Sequence, residues 1–241
     1  MSLNPASRAI LLRTYAGDAE WLPYLFKSCE IHAPETPIIM VYPKKDHNRL
    51  AQFAERSTAS FKVYPHHKDG YIDQQWTKLH ADEFCNSDYV IHLDSDCVVL
   101  RSLDDLFVGR KPIMLKTPYR LMEGDSLTWR GVTAGYVGFN PDYEYMRRQP
   151  LVYPRHAYKA VRGFVEKVKG PWHKWFPKIS NRSLSEYNVI GAVCDKELHD
   201  DFHWIDTEFD PLPPLVVRQG WSWGGIDKVR AEWEALVNGE G

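Results

Sequence analysis

No stretch of this chain approaches the ~18 uninterrupted apolar residues that a membrane helix needs. The N-terminus also lacks a basic-then-apolar leader, because Ala9-Ile10-Leu11-Leu12 is short and runs into Arg13. These absences lead to the expectation of a cytoplasmic protein with no membrane span. Cysteine is scarce: Cys29, Cys85, Cys97 and Cys194 stand far apart and make no CxxC pair. That removes the usual zinc and redox spacings and points to buried thiols in a reducing compartment. Internal repeats and low-complexity tracts are missing too. Acidic residues nearly vanish from one segment. Residues 145–182 hold ten Lys/Arg against the single acid Glu166, so they carry +9 while the rest of the chain carries −11 within a total of −2. A split of this kind suggests a local anionic partner.

What the first half does contain is an alternation of apolar runs and helical patterns. Strands are expected at Arg8–Tyr15, Pro37–Tyr42, Phe61–Pro65 and Tyr89–Leu93, and helices at Gly17–His32, Lys44–Arg56 and Tyr71–Cys85. Apolar runs separated by helices imply a parallel sheet covered on both faces. In the second half, strands are expected at Lys111–Lys116, Val132–Asn140, Phe202–Asp206 and Leu215–Gln219. Helices are expected at Arg155–Lys169, Ser183–Cys194 and Ile226–Asn238, with a Trp-, Pro- and Lys-rich loop between the first two. No clean linker divides the chain, so residues 1–241 read as one domain, with a nucleotide-binding half (1–100) and an acceptor half (101–241).

The sharpest feature is Asp94-Ser95-Asp96, at the end of the run Tyr89-Val90-Ile91-His92-Leu93. On a regular strand Asp94 and Asp96 share one face. Two hard oxygen donors at the carboxyl end of a buried strand suit Mg²⁺ or Mn²⁺ beside a nucleoside diphosphate. Two aspartates in a solvated turn would be the plain alternative. Upstream, Gln75 and Lys78 in Gln74-Gln75-Trp76-Thr77-Lys78 share a helix face. Lys78 could neutralise a phosphate and Gln75 could bond a sugar or base. Thr14 and Tyr15, at the end of the first strand, are candidates for contact with a base or ribose.

The order of apolar strand, Gln75-Trp-Thr-Lys78 and Asp94-Ser95-Asp96 resembles the GT-A-type glycosyltransferases, and most resembles their small bacterial and phage branches, distantly similar to glycogenin-like enzymes. The resemblance implies a Rossmann-type mixed sheet with helices on both faces, Mn²⁺ or Mg²⁺, and a nucleoside-diphosphate-sugar donor, UDP favoured. It also implies the cytoplasm of a bacterium or of a phage-infected cell. Under it, Thr133-Ala134-Gly135-Tyr136-Val137-Gly138-Phe139-Asn140 is similar to the strand beside the donor sugar, with Gly135 at the sugar. Ser95 joins the donor site, and Asp94 and Asp96 become metal ligands. Glu186 of Ser185-Glu186-Tyr187-Asn188 falls near the sugar, as general base in an inverting reaction or as charge stabiliser in a retaining one. Ser183-Leu-Ser-Glu186 also matches a helix capping box. Gln219 stands where many members carry a metal-binding His; its amide oxygen is a poor third ligand for Mn²⁺ but acceptable for Mg²⁺, and the alternatives are a metal with two protein ligands or a neighbour such as His203 in its place.

For the acceptor, the basic segment interleaves Tyr153, Tyr158, Phe164, Trp172, Trp175 and Phe176 with its cations. That pattern suits a nucleic acid, such as hydroxymethylated DNA, or another anionic polymer or surface. Arg155, Lys159, Arg162, Trp172, Trp221 and Trp223 are the residues this reading selects. The bland counterpart is a solvated helix face with the aromatics in the core. Two other functions share the Asp94-Ser95-Asp96 signature. One is a haloacid-dehalogenase-like phosphatase with Asp94 as nucleophile and Asp200-Asp201 as its later acidic pair. The other is a nucleotide-sugar- or glycan-binding module without turnover.

Overall fold

The computed structural model describes residues 7–57 and 69–239; the strand expected at 61–65 lies outside them. The central sheet is built from β1 (Arg8–Arg13), β2 (Ile38–Val41), β3 (Tyr89–Leu93) and, from the second half of the chain, β8 (Leu151–Pro154). Its order is β2-β1-β3-β8, parallel for the first three strands and antiparallel at β8. The side chains alternate between two cores. Ala9, Leu11, Ile39, Val41, Val90 and Tyr153 face one, and Ile10, Leu12, Ile38, Met40, Ile91 and Val152 face the other. A strand buried on both faces reads as a continuous apolar run, which is why these strands are legible in the sequence.

The first core is closed by α3 (Gly70–Leu79), α4 (Thr128–Val137), α5 (Arg155–Lys169), α6 (Trp172–Trp175) and α7 (Glu186–Glu197), and the second by α1 (Leu22–His32) and α2 (His47–Ala54). An antiparallel pair, β4 (Cys97–Val99) with β10 (Val217–Gln219), lies beside α1 and α8 (Arg230–Asn238). A third group joins β5 (Phe107–Val108), β6 (Lys111–Pro118), β7 (Tyr143–Glu144) and β9 (His203–Asp206). All four cysteines are buried and unpaired, as expected. Among the described residues no helix is long and apolar enough to cross a membrane.

Several expected elements change. The 132–140 strand is the helix α4, since Thr133, Tyr136 and Val137 recur at helical spacing on its buried face and Gly138 (φ 73°) ends it in the left-handed region. The helix expected from Gly17 begins at Leu22, after a short turn at Ala16–Asp18. Strand β8 is hidden in the sequence because its four buried residues sit inside the basic segment. It also shows that the two halves are not separate layers: β8 pairs directly with β3, and β10 with β4. Around β10 the packing is tight. A Cβ at Gly220 would come within 2.7 Å of ring atoms of both Trp21 and Trp233, which are almost fully buried. Gly220→Ala is expected to lower stability by about 1–3 kcal/mol through overpacking, read as a lower urea midpoint with an unchanged slope.

Candidate active site

Strands β1, β2 and β3 run parallel, so their carboxyl ends open onto one edge of the sheet. β8 starts at this same edge, because Leu151 lies opposite His92. A cavity of about 480 Å³ sits here, within the size range of small-molecule sites. Asp94, Ser95 and Asp96 line it with Thr14, Tyr15, Gln219, Trp221 and Trp223. Eight positions singled out from sequence, spread over more than 200 residues, thus meet at one place. Residues 94–96 are not on a strand: the chain turns at Ser95 and Asp96 between β3 and β4, and all three side chains reach the cavity. The turn is tied to β1 by a hydrogen bond from the Ser95 hydroxyl to Thr14 Oγ1 (2.9 Å).

Each carboxylate is held at both oxygens. Lys78 Nζ donates to Asp94 Oδ1 (2.9 Å) and Gln149 Nε2 to Asp94 Oδ2 (3.2 Å). Gln219 Nε2 donates to Asp96 Oδ1 (3.2 Å), and the Ser222 amide to Asp96 Oδ2 (2.6 Å). Burial, together with repulsion from Asp94, raises the Asp96 pKa against these hydrogen bonds. Asp18, a further lining carboxylate, is pushed up to about 6, first by burial; Asp96 and Asp94 repel it, while a Ser95 hydrogen bond and Arg13 oppose the shift.

Behind the cavity wall lies a buried charge cluster. Lys78 Nζ is 3.3 Å from Glu186 Oε1 and 4.5 Å from the centre of the Tyr187 ring. Burial alone would lower the Lys78 pKa, but Asp94, Tyr187 and Glu186 outweigh it and hold the ammonium well above its usual value. His92, two residues before Asp94, is driven well below its ordinary pKa by burial and by Lys78, which keeps it neutral.

Other expected residues lie elsewhere. Gln75 turns away from the cavity and donates to the Leu184 carbonyl (2.8 Å), while its neighbour Gln74 lines the cavity. Lys78 is buried against Asp94 and does not line the cavity. Glu186 is the first residue of α7, but its helix has no side-chain cap from Ser185, and Ser183 bonds back to Ser180, so no capping box forms. The carboxylate serves the Lys78 ion pair instead. Gly135 is on the exposed side of α4, outside the cavity lining. On the side of β3 away from β1 the strand is β8, and Gln149, two residues before β8 begins, reaches Asp94. His203 is on β9, paired opposite Ile113, and does not line the cavity.

The basic segment is likewise displaced. α5 begins at the amino edge of the sheet, where the Arg155 amide donates to the Asp88 carbonyl, about 20 Å from Asp94 along the six residue steps of β3 and its ends. Arg162 makes a two-pronged bond to Asp82, and Arg155 bonds the Asp82 carbonyl and Asn86. Lys159 is exposed at that far edge. Trp172 is buried against Trp76 and Trp175, and Tyr153, Tyr158 and Phe176 are core residues. Helical spacing alone puts Tyr158 on the buried face of α5; the rest of the aromatics obey the same plain reading.

Neither a protein-family model nor a curated protein matches the chain. Among solved structures, the galactosyltransferase LgtC, determined in complex with donor and acceptor sugar analogs, aligns with a TM-score of 0.54 at 15% identity, over 96% of this chain and 95% of LgtC. The apo bifunctional glycosyltransferase WbbM and the apo glycosyltransferase GlyE of Streptococcus pneumoniae each align at a TM-score of 0.49 and 14% identity. They cover 84% and 97% of this chain, which spans 40% and 63% of theirs. Of these three, the LgtC alignment bears on the fold. The mixed α/β architecture with a doubly covered sheet is the fold of that glycosyltransferase over nearly its full length.

Proposed function

We propose that this chain is a metal-dependent glycosyltransferase that moves a sugar from a nucleoside-diphosphate-sugar, UDP favoured, to a hydroxyl acceptor. The observation that carries the reading is the meeting of Asp94 and Asp96 with Thr14 and Tyr15 in one cavity at the carboxyl edge of a sheet folded as in LgtC. The donor set fits Mn²⁺ or Mg²⁺. It offers two carboxylates of hard oxygen, each oxygen with a lone pair left beyond its single hydrogen bond. Among the described residues no third His, Cys, Asp or Glu joins them. Gln219 would add its amide oxygen on rotation of the side chain, and the diphosphate would supply further oxygens. A bound divalent cation would neutralise charge that builds on the departing diphosphate.

The protein's own groups set the geometry. Lys78 and Gln149 fix Asp94; Gln219 and the Ser222 amide fix Asp96, so neither carboxylate need reorganise when charge develops. Glu186 acts through Lys78 as a positioning residue, keeping its ammonium charged and aimed at Asp94. Thr14 and Tyr15 stand where the first strand opens, in reach of the nucleoside. The DNA acceptor expected from charge draws no support from the far-edge position of Arg155, Lys159 and Arg162, or from the pairing of Arg162 with Asp82. The phosphatase reading loses its second acidic pair, since Asp200-Asp201 form a turn outside the cavity lining, with Asp201 bonded to His156.

The test is nucleotide release from a panel of UDP-sugars with Mn²⁺. Excess EDTA should stop release, and added Mn²⁺ should restore it. Unchanged release in EDTA would remove the metal. Phosphate release from simple phosphomonoesters, lost in Asp94→Asn, would favour the phosphatase. Tight nucleotide binding with no release would favour the binding module.

A further inference from the structure

Five aromatic side chains are exposed among the described residues, and four of them, Tyr15, Tyr71, Trp221 and Trp223, line the one cavity that holds Asp94 and Asp96. Trp223 is 83% exposed and Trp221 56%. Trp221 also has a φ of 60°, a left-handed backbone that a bulky residue adopts only when its surroundings impose it. What imposes it is Asp96: its carbonyl accepts from the Gly220 amide (2.7 Å) and its carboxylate from the Ser222 amide (2.6 Å), so the loop is pinned on both sides of Trp221. Two large indoles are thereby kept in solvent at the rim of the site, at a cost in exposed apolar surface that folding alone would not select.

Charge decides what they take. The cavity is lined by Asp18, Asp46, Asp94 and Asp96 against Arg13 and Lys45, and Arg13 is already paired with Asp73. A divalent cation and a donor diphosphate roughly cancel each other, so the rim stays negative with the donor bound. Such a field repels the phosphates of a nucleic acid and is indifferent to an uncharged sugar. Pyranose rings present an apolar C–H face that stacks on an indole. Resting on the glycosyltransferase reading, we infer that the Trp221–Trp223 loop is the acceptor platform, and that it takes an uncharged saccharide, with Trp223 as its main stacking surface.

The experiment tracks the indole N–H signals of the ¹⁵N-labelled protein, with UDP and Mg²⁺ present, the diamagnetic cation being chosen so that the signals near the site stay visible. The signals of Trp221 and Trp223 are assigned by Trp221→Phe and Trp223→Phe. The probes are lactose, cellobiose and maltotriose, with glucuronic acid and a hydroxymethylated DNA duplex as charged counterparts. Both signals should shift on titration with at least one neutral sugar and not with the charged probes. Trp223→Ala should weaken that sugar's apparent Kd about tenfold or more. Shifts complete with UDP alone would assign the rim to the donor, shifts with DNA would restore a polyanion acceptor, and no shift with any sugar would equally overturn the platform. Because this readout is binding, it stands apart from nucleotide release. A platform that binds sugar in a protein that releases no nucleotide would sink the transferase and spare the platform.

Discussion

Asp96→Asn should lose roughly 10³-fold in transfer rate, about 4 kcal/mol of transition-state stabilisation, while folding about as well as the parent. The activity loss comes from removing one of two anionic oxygen donors: an amide does not neutralise a divalent cation, and the remaining ligand, Asp94, is already shared with Lys78 and Gln149. The stability argument is separate. Asp96 is a buried carboxylate whose charge is disfavoured by burial and by Asp94. Replacing it with a neutral group of the same shape relieves that penalty. The Ser222 amide keeps an acceptor in the new side-chain oxygen, and the new NH₂ group meets Gln219, whose own amide can turn to accept from it. Steady-state nucleotide release and a thermal melt on the same sample check both halves. A melt that collapses with the activity would mean that Asp96 acts through the fold rather than the cation.

Lys78→Met should be the most destabilising of the site substitutions, by about 3–5 kcal/mol. The ammonium is buried between Asp94 and Glu186, with side-chain exposures of 5%, 22% and 7% in that order. Removing it leaves two carboxylates, one of them deeply buried, without their cation. In a domain of this size such a loss lowers Tm by roughly 6–20 °C. The double variant Lys78→Met with Glu186→Gln should recover part of the loss, because it removes the uncompensated charge as well. Urea unfolding of the single and double variants measures this directly. Additive losses would show that Glu186 and Lys78 do not couple. Activity should stay low in the double variant, since Asp94 has lost the donor that fixes Oδ1.

Much of this site can be read along the chain because its strongest signals are local. Tyr89–Leu93 is an unbroken apolar run, and Asp94-Ser95-Asp96 comes directly after it; a strand buried on both faces that ends in carboxylates leaves few other readings. The sequence misleads where the signal is a periodicity read one residue out or a composition read without burial. Gln75 and Gln74 differ by about 100° around α3, and nothing local says which faces the cavity. Gly135 is drawn toward the site by small residues whose spacing is in fact that of a helix. Gln149 carries no signal of its own and reaches Asp94 only because β8 enters the sheet beside β3.

Patterning along the chain is enough to give the doubly covered sheet, the buried thiols and the pair of acids at the sheet's open edge, because hydrophobic periodicity and short-range chemistry act between neighbours in the chain. Tertiary structure alone decided which charges cancel. Lys78 meets Glu186 across 108 positions and Arg162 meets Asp82 across 80, so a charge that looks free along the chain is paired in space, while the cavity is lined by acids and aromatics. The physical reason is that Coulomb energy depends on distance in space and on burial, neither of which a count along the chain contains.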